Sequence, residues 1–202
     1  MVEVQPTHFF EPFFYFADPA KRLYWVHLVG SVVLAGWYFW LKRSDKTAWV
    51  ALCEVFNLKY WWNASTRTDY ALLSCNAALK VGVFIPLLGG QLTLAIFTAR
   101  FLHLHIAETP NLTVWPLLVS VGFTLTAFVI DDLTRFIVHF AMHRSDFLWR
   151  FHRLHHTATT LTPFTVFRTH PVESLLNYLR SIVSLGVVSG GFIWAFGSQL
   201  QV

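Results

Sequence analysis

Residues 112–144 read LTVWPLLVSVGFTLTAFVIDDLTRFIVHFAMHR and join an uncharged apolar run to a polar segment that contains two histidines. The apolar part, residues 112–130, has the length of a helix that crosses the roughly 30 Å hydrocarbon core of a bilayer. Because nothing after Asp131-Asp132 breaks a helix, we predict that the helix continues past the membrane surface to about His143. This stretch therefore predicts a membrane helix that carries histidines at one end.

The composition of the whole chain agrees with a membrane protein. Of its 202 residues, 55% are hydrophobic and 13% are charged, whereas a soluble domain has about 25% charged residues. A water-soluble domain of this length cannot bury so much apolar surface. The net charge is +4, but the basic residues flank apolar runs, which is typical of loops that contact lipid head groups. We therefore expect a lipid bilayer and no nucleic acid as a partner.

Further apolar runs occupy residues 23–41, 70–99 and 181–202. The second run contains Pro86 and the pair Gly89-Gly90, so it is either one kinked helix or two helices that turn at the glycines. We favour two helices, because apolar residues continue to about position 106, too far for one ordinary crossing. The sequence thus predicts an all-α integral membrane domain over residues 1–202, with about four to five transmembrane helices. Residues 44–68, polar and aromatic, are predicted to lie at the membrane interface.

The distribution of basic residues predicts an orientation for this multi-pass protein. With four crossings before Asp131, the N-terminus and the histidine region share one side of the membrane, which carries seven basic residues against five on the other. Positive residues favour the cytoplasmic side. We therefore expect the histidine site on the cytoplasmic side, although a single crossing by residues 70–99 would reverse this parity.

Two histidine motifs lie close together in the sequence. The first is an H-x3-H formed by His139 and His143, and the second is an H-x2-H-H formed by His152, His155 and His156. On a helix, residues separated by three or four positions share one face. Each short segment can therefore present two or three imidazoles to the same ion, and neutral imidazole is a good ligand for iron, copper and zinc.

The alternative is a basic interfacial helix that happens to be rich in histidine. Several imidazoles near a membrane are costly to desolvate unless something compensates, and a bound metal does so. A single H-x3-H would be weak evidence for a metal site. Two motifs separated by nine residues favour a metal-binding region over residues 131–173.

Three nearby residues are candidates for supporting this site. Metal-ligating imidazoles usually donate their second N–H to a carboxylate or a carbonyl. Asp132, two helical turns before His139, is either such a carboxylate or a helix-end charge in water. His170 is either a further ligand with Glu173 behind it or a loop residue before a helix that starts near Pro171.

These motifs resemble those of a known family. DDLTRFIVHFAMHR at residues 131–144 and LWRFHRLHHT at residues 148–157 resemble the first and second histidine boxes of the fatty acid hydroxylase/sterol desaturase superfamily. FRTHPVE at residues 167–173 resembles the segment that follows. The resemblance implies a histidine-box region at the membrane surface that holds a non-haem di-iron centre. Members use O2 and two electrons to hydroxylate or desaturate lipids such as fatty acyl chains and sterols.

Carried over to this sequence, the resemblance identifies ligands and partners. His139, His143, His152, His155 and His156 are the implied ligands of two iron ions. The implied partners are a membrane lipid as substrate, O2 and an electron-donor protein or domain.

One feature departs from the family pattern. Members carry a further H-x2-H-H box well downstream of the second, and no histidine follows His170 in this sequence. We therefore expect the chain to lack the C-terminal histidine box. Two functions follow as alternatives: a di-iron oxidoreductase of lipid biosynthesis, or a truncated relative without activity that serves as a metal-binding or scaffold membrane protein.

Overall fold

The computed structural model describes residues 16–18, 23–41, 50, 53, 55–108, 110, 112 and 114–197, and this part of the chain is helical without a strand. The predicted all-α class is therefore confirmed for these residues. The helices are α1 (Trp25–Leu41), α2 (Leu58–Trp61), α3 (Ala64–Leu79), α4 (Ile85–Leu88), α5 (Gln91–His105), α6 (Pro116–Arg144), α7 (Asp146–His152) and α8 (Pro171–Phe196). Most of the predicted interfacial segment before residue 55 lies outside the described residues.

Three helical stretches are long and apolar enough to cross a membrane. They are Ala64–His105, Pro116–Arg144 and Pro171–Phe196, and α1 is a shorter apolar helix. These stretches suggest a membrane protein, as the composition predicts. The count of four to five crossings stays a prediction.

The first of these stretches is interrupted at the predicted position. Helix α4 ends at Leu88 and α5 begins at Gln91, with Gly89 at φ +70° between them. A residue with a side chain rarely adopts this left-handed backbone conformation, so the break requires a glycine. The helix already changes to π-helical geometry over Lys80–Phe84, just before Pro86, which has no N–H to donate to a helical hydrogen bond. The predicted break at Gly89-Gly90 is confirmed.

The chain forms two compact units, and the first comprises Met1–Val81 and Arg153–Pro171. Its centre is a buried polar network between α3 and the segment before α8. Asp69, fully buried, accepts hydrogen bonds from Arg168 Nε at 2.5 Å and from Thr165 Oγ1 at 2.8 Å. Arg168 also donates to the carbonyl oxygen of Ser65 at 2.6 Å. These bonds hold the segment before α8 against α3.

Capping hydrogen bonds define the residue at which α3 begins. The Asn63 side chain accepts a hydrogen bond from the Thr66 backbone N–H, and the Thr66 hydroxyl accepts one from the Asn63 N–H. This reciprocal capping satisfies two of the donors that a helix N-terminus leaves without partners. The helix therefore begins at Ala64, before the predicted start at residue 70, and it contains Asp69.

The second unit comprises Gly82–His152 and Val172–Val202. Within it, α8 packs closely on α5 at two glycines. A Cβ atom added at Gly186 would lie 2.9 Å from Leu94 Cβ, and one at Gly190 would lie 2.5 Å from Thr98 Cβ. Small residues let helix backbones approach in this way. Tyr178 OH donates to the Gly89 carbonyl at 2.6 Å near the start of both helices, so α5 and α8 run in the same direction.

Helix α8 also packs against α6, in the opposite direction. The rings of Phe123 and Phe192 meet at 5.3 Å between centroids. Closer to the histidine end of α6, Arg180 donates to Asp131 Oδ1 at 2.7 Å and to the Thr134 hydroxyl at 3.0 Å. This antiparallel register brings the start of α8 to the end of α6 that carries the histidines.

The last apolar run, which starts at residue 181, belongs to a helix that begins earlier. Helix α8 starts at Pro171, as one of the two interpretations of His170 predicts, and it includes Glu173 and Arg180. Both charged side chains have partners within the unit, namely His152 and Asp131. Paired charges are tolerated inside an apolar helix, and this pairing explains the earlier start.

Candidate metal centre

Helix α6 carries the first histidine motif on one face. His139 and His143 are one turn apart, and their ring centroids lie 4.7 Å from each other. The helix ends at Arg144, which confirms the prediction that it continues to about His143. Both imidazoles are exposed, so the H-x3-H spacing alone gives an open pair of ligands.

Helix α7 adds a third imidazole. Ser145 has an extended backbone and separates α6 from α7. His152, at the end of α7, lies 4.7 Å from His139 and 4.8 Å from His143 between ring centroids. One ligand atom from each of the three histidines lies within 4.8 Å of the others, which is a grouping that can hold a metal ion.

His152 is the buried member of this group, at 1% exposure, and a carboxylate lies behind it. Its Nδ1 is 3.0 Å from Oε1 of Glu173, which is also buried. An ionised carboxylate only accepts hydrogen bonds, so with Glu173 ionised the hydrogen lies on Nδ1 of His152. The lone pair of Nε2 is then the one that a metal can use. Carboxylate–histidine–metal arrangements of this kind fix the orientation of the ligand.

One further side chain borders the three histidines. The Trp149 ring lies 5.3 Å from that of His143 between ring centroids. Trp149 is not among the candidate site residues of the sequence. Trp149 belongs to the LWRFH stretch of the second motif, and this position in the motif was the available signal.

Glu173 lies beside a histidine that the sequence motifs do not link to it. One of the two interpretations of His170 places Glu173 behind that histidine, and in the structure Glu173 Oε1 lies 3.0 Å from Nδ1 of His152. His152 and Glu173 are twenty-one residues apart, and only the antiparallel packing of α8 on α6 brings them together. Glu173 Oε2 has no hydrogen-bond partner among the residues that the structure describes.

The remaining candidate ligands belong to the first unit. His155 and His156 lie in a 3-10 turn, His155–Thr157, with ring centroids 5.3 Å apart. His170 directly precedes α8 and is partly buried. Their role as ligands stays a prediction.

Asp132, the other supporting candidate, is exposed on α6. Its neighbour Asp131 instead forms the ion pairs of this region, with Arg180 at 2.7 Å and with Arg135 at 2.6 Å. The support that Asp132 gives to His139 stays a prediction. The histidine motifs give no signal for Arg180, which lies 49 residues from Asp131 in sequence.

The geometry defines the class of protein first. A helical chain with three membrane-length apolar stretches groups three imidazoles at one helix end, with a carboxylate on the buried imidazole. Three protein ligands leave coordination positions of a metal open, as in catalytic sites. The chain therefore has the composition of a membrane protein and a donor set that fits one metal ion.

One comparison with known proteins then reports a similarity over the C-terminal part of the sequence. Residues 124–201 match the fatty acid hydroxylase family model. The match includes all six candidate ligands, Asp132 and Glu173. It confirms the resemblance of this part of the chain to the fatty acid hydroxylase/sterol desaturase superfamily, and it supports a hydroxylase- or desaturase-type oxidoreductase in general. Neither a curated protein nor a solved structure matches the chain.

Proposed function

We propose that this protein is a membrane-bound non-haem iron oxidoreductase that hydroxylates or desaturates the hydrocarbon part of a sterol or fatty acyl lipid with O2. The observation that carries the proposal is the group of three imidazoles with Glu173 on His152. The family match over the same residues supports it.

The proposed ligands of one iron ion are His139, His143 and His152. When bound, iron supplies the reductive activation of O2 that oxidation of a C–H bond requires. The protein's own contribution is orientation. Glu173 holds the His152 ring by its Nδ1–H, and its burial keeps water away from this hydrogen bond.

The proposed ligands of a second iron ion are His155, His156 and His170. The resemblance implies a di-iron centre, and three imidazoles are too few to hold two ions. His155, His156 and His170 are the histidines nearest in sequence to the three already grouped. Asp132 is the proposed carboxylate partner of His139 on α6.

Apolar residues beside the histidines support a lipid substrate. Phe136 and Phe140 alternate with His139 on α6 and are 62% and 51% exposed. A lipid chain that lies along this exposed face has a route from the bilayer to the site without crossing water. The proposal includes O2, an electron-donor protein or domain, and a site on the cytoplasmic side.

The experiment measures iron and oxidised lipid in the same preparation. The full chain, purified in nanodiscs, is loaded with ferrous iron under anaerobic conditions, and bound iron per chain is measured after desalting. The protein is then supplied with a reductant and air, and hydroxylated or desaturated lipid products are measured by mass spectrometry. We expect His143→Ala to lose at least tenfold in both bound iron and product.

The matched control is His103→Ala, an exposed histidine on α5 outside both motifs. We expect this variant to retain the iron content and the product yield of the unchanged protein. Equal iron content in the His143→Ala and His103→Ala variants would contradict the metal site.

The second candidate function is a metal-binding or scaffold membrane protein without activity. It is favoured by the donor set, because the described cluster contains three imidazoles, which suit one ion. This candidate predicts no more than one metal ion per chain and no oxidised lipid, although the protein is folded and reduced. Two iron ions per chain with product formation would exclude it.

A further inference from the structure

The first unit contains a cavity of about 1010 Å³ that is separate from the three grouped histidines. One wall is α1, and the opposite wall consists of residues near the start of α2 and in the segment 159–166. Ligand sites in proteins commonly have volumes of about 300–1000 Å³. The cavity therefore has the size of a site for a molecule much larger than water.

Helix α1 contributes one stripe of its surface to this cavity. Leu28, Val32, Ala35 and Phe39 recur at the spacing of one helix face and all line the wall. Three of them are half-buried and Val32 is exposed, and no residue of α1 is fully buried. The stripe therefore packs only partly against the rest of the unit, whereas a protein interior is close-packed.

The polar groups of the wall point to an apolar occupant, because the protein already satisfies most of them. Their hydrogen bonds are Ser31 Oγ to the His27 carbonyl at 2.8 Å, Tyr60 OH to the Leu161 carbonyl, Trp61 Nε1 to the Val55 carbonyl at 2.7 Å, and Asn63 Nδ2 to Thr160 Oγ1 at 3.1 Å. A polar head group or a cluster of waters would find few partners here.

The mouth of the cavity is continuous with a surface suited to lipid. Val32 lines the wall and is still 67% exposed, and the adjoining residues of α1 that point outward, such as Val29, Val33 and Trp37, are also exposed and apolar. An apolar helix exposed on every side is expected to contact hydrocarbon. A lipid chain can therefore enter sideways between α1 and the segment 159–166.

We propose that this cavity binds one hydrocarbon chain of a bilayer lipid, with the chain along the Leu28–Phe39 stripe and the head group outside. The apolar stripe, the satisfied polar groups and the lipid-facing mouth each support this occupant. The site needs no metal and no oxidation step, so it stands or falls independently of the proposed oxidoreductase activity.

The experiment uses a photoreactive lipid in nanodiscs. A phosphatidylcholine with a diazirine in the middle of one acyl chain is mixed with the full chain without added metal. After irradiation, labelled peptides are mapped by mass spectrometry. We expect adducts in the segment 159–166, centred on Val166, which faces the cavity and is only partly exposed.

Two variants test whether this labelling depends on the cavity. Ala35→Trp places an indole in the cavity, and we expect it to reduce adducts in the segment 159–166 at least fivefold. Val33→Trp places the same group on the exposed side of α1, outside the cavity lining, and we expect adducts at the wild-type level. Adducts on the outer face of α1 report bulk lipid and should be equal in all three proteins.

Two outcomes would overturn the proposal. One is labelling of the segment 159–166 that is equal in the Ala35→Trp and Val33→Trp proteins, which indicates bulk lipid contact only. Another is the absence of adducts in this segment in the unchanged protein. Circular dichroism of both variants confirms that they are folded before labelling is compared.

Discussion

Asp69 in the first unit and Glu173 in the second are both buried carboxylates that pair with a basic side chain far away in sequence. Their surroundings differ. Asp69 accepts hydrogen bonds on both oxygens, from Arg168 and Thr165. Glu173 uses Oε1 for His152, and Oε2 has no partner in the described part of the chain.

This difference separates a structural pair from one that fits a binding site. Arginine stays charged, and with Thr165 it gives each oxygen of Asp69 a partner, so the network holds a segment in place. Histidine has a second ring nitrogen, so the bond of His152 to Glu173 uses only one of its two possible coordination atoms. A closed network contributes to folding, whereas an open one can bind something further.

The two units also differ in how their segments are held together. In the first unit, buried hydrogen bonds hold residues 153–171 against α3. In the second unit, α8 approaches α5 through Gly186 and Gly190, at distances that leave no room for a side chain. The comparison predicts that loss of a buried polar side chain destabilises the first unit most. Added side-chain volume between helices should destabilise the second unit most.

The largest expected effect is that of Asp69→Ala. The substitution leaves the buried Arg168 guanidinium without its carboxylate, and removing one partner of a buried ion pair costs about 3–5 kcal/mol. The measurement is the free energy of unfolding in mixed micelles, followed by tryptophan fluorescence. Arg67→Ala, at an exposed position two residues earlier, should change it by about 0.5 kcal/mol or less.

A double variant sharpens this test. Asp69→Leu combined with Arg168→Met removes both charges, and we expect it to be at least about 2 kcal/mol more stable than Asp69→Ala. If Asp69→Ala lost less than about 1 kcal/mol, the network would not be what holds this segment, and the comparison between the two acids would fail.

The next effect is that of Glu173→Gln on metal binding. An amide oxygen is a weaker partner than a carboxylate for Nδ1–H, and loss of such a supporting group typically weakens metal affinity about 10–100-fold. The dissociation constant for a divalent metal, measured by competition with a chelator, checks this. Glu108→Gln, an exposed acid in the loop after α5, should leave the constant unchanged.

The free energy of unfolding is a second measurement on the Glu173→Gln variant. Because His152 can still donate to an amide oxygen, we expect the unfolding free energy without metal to change by about 1 kcal/mol or less. A loss as large as that of Asp69→Ala, with unchanged metal affinity, would show that Glu173 is a structural acid like Asp69.

The smallest effect is that of Gly190→Ala. Its Cβ would lie 2.5 Å from Thr98 Cβ and 2.6 Å from the Ala95 carbonyl oxygen, so α5 and α8 must move apart. Overpacking costs about 1–3 kcal/mol, and the better helix propensity of alanine offsets up to about 1 kcal/mol. We expect a net loss of about 1–2 kcal/mol in the unfolding free energy.

Gly191→Ala is the matched control, because a Cβ there meets nothing within 4 Å. It should be neutral or slightly stabilising, by up to about 1 kcal/mol. Equal losses at Gly190 and Gly191 would indicate that close helix approach does not hold the second unit together.

The sequence alone predicts those features that depend on local properties. The apolar run before Asp131, the break at Gly89-Gly90 and the end of α6 just after His143 are all present in the structure. Transfer of apolar residues into lipid, the freedom of glycine and helical periodicity act over one segment at a time. The histidine motifs likewise place His139 and His143 on one face through spacing alone.

The tertiary structure decided which charged residues lie inside the helices and what they contact. Asp69, Glu173 and Arg180 all lie inside α3 or α8, and no local sequence pattern indicates what each of them contacts. Their partners are 99, 21 and 49 residues away in sequence. The sequence could therefore name Glu173 as the carboxylate of a histidine site, but only the packing of α8 on α6 selects His152 as its histidine. The physical reason is that a buried charge is stabilised by whichever group the fold brings within hydrogen-bond distance, and helical periodicity carries no information about contacts between distant segments.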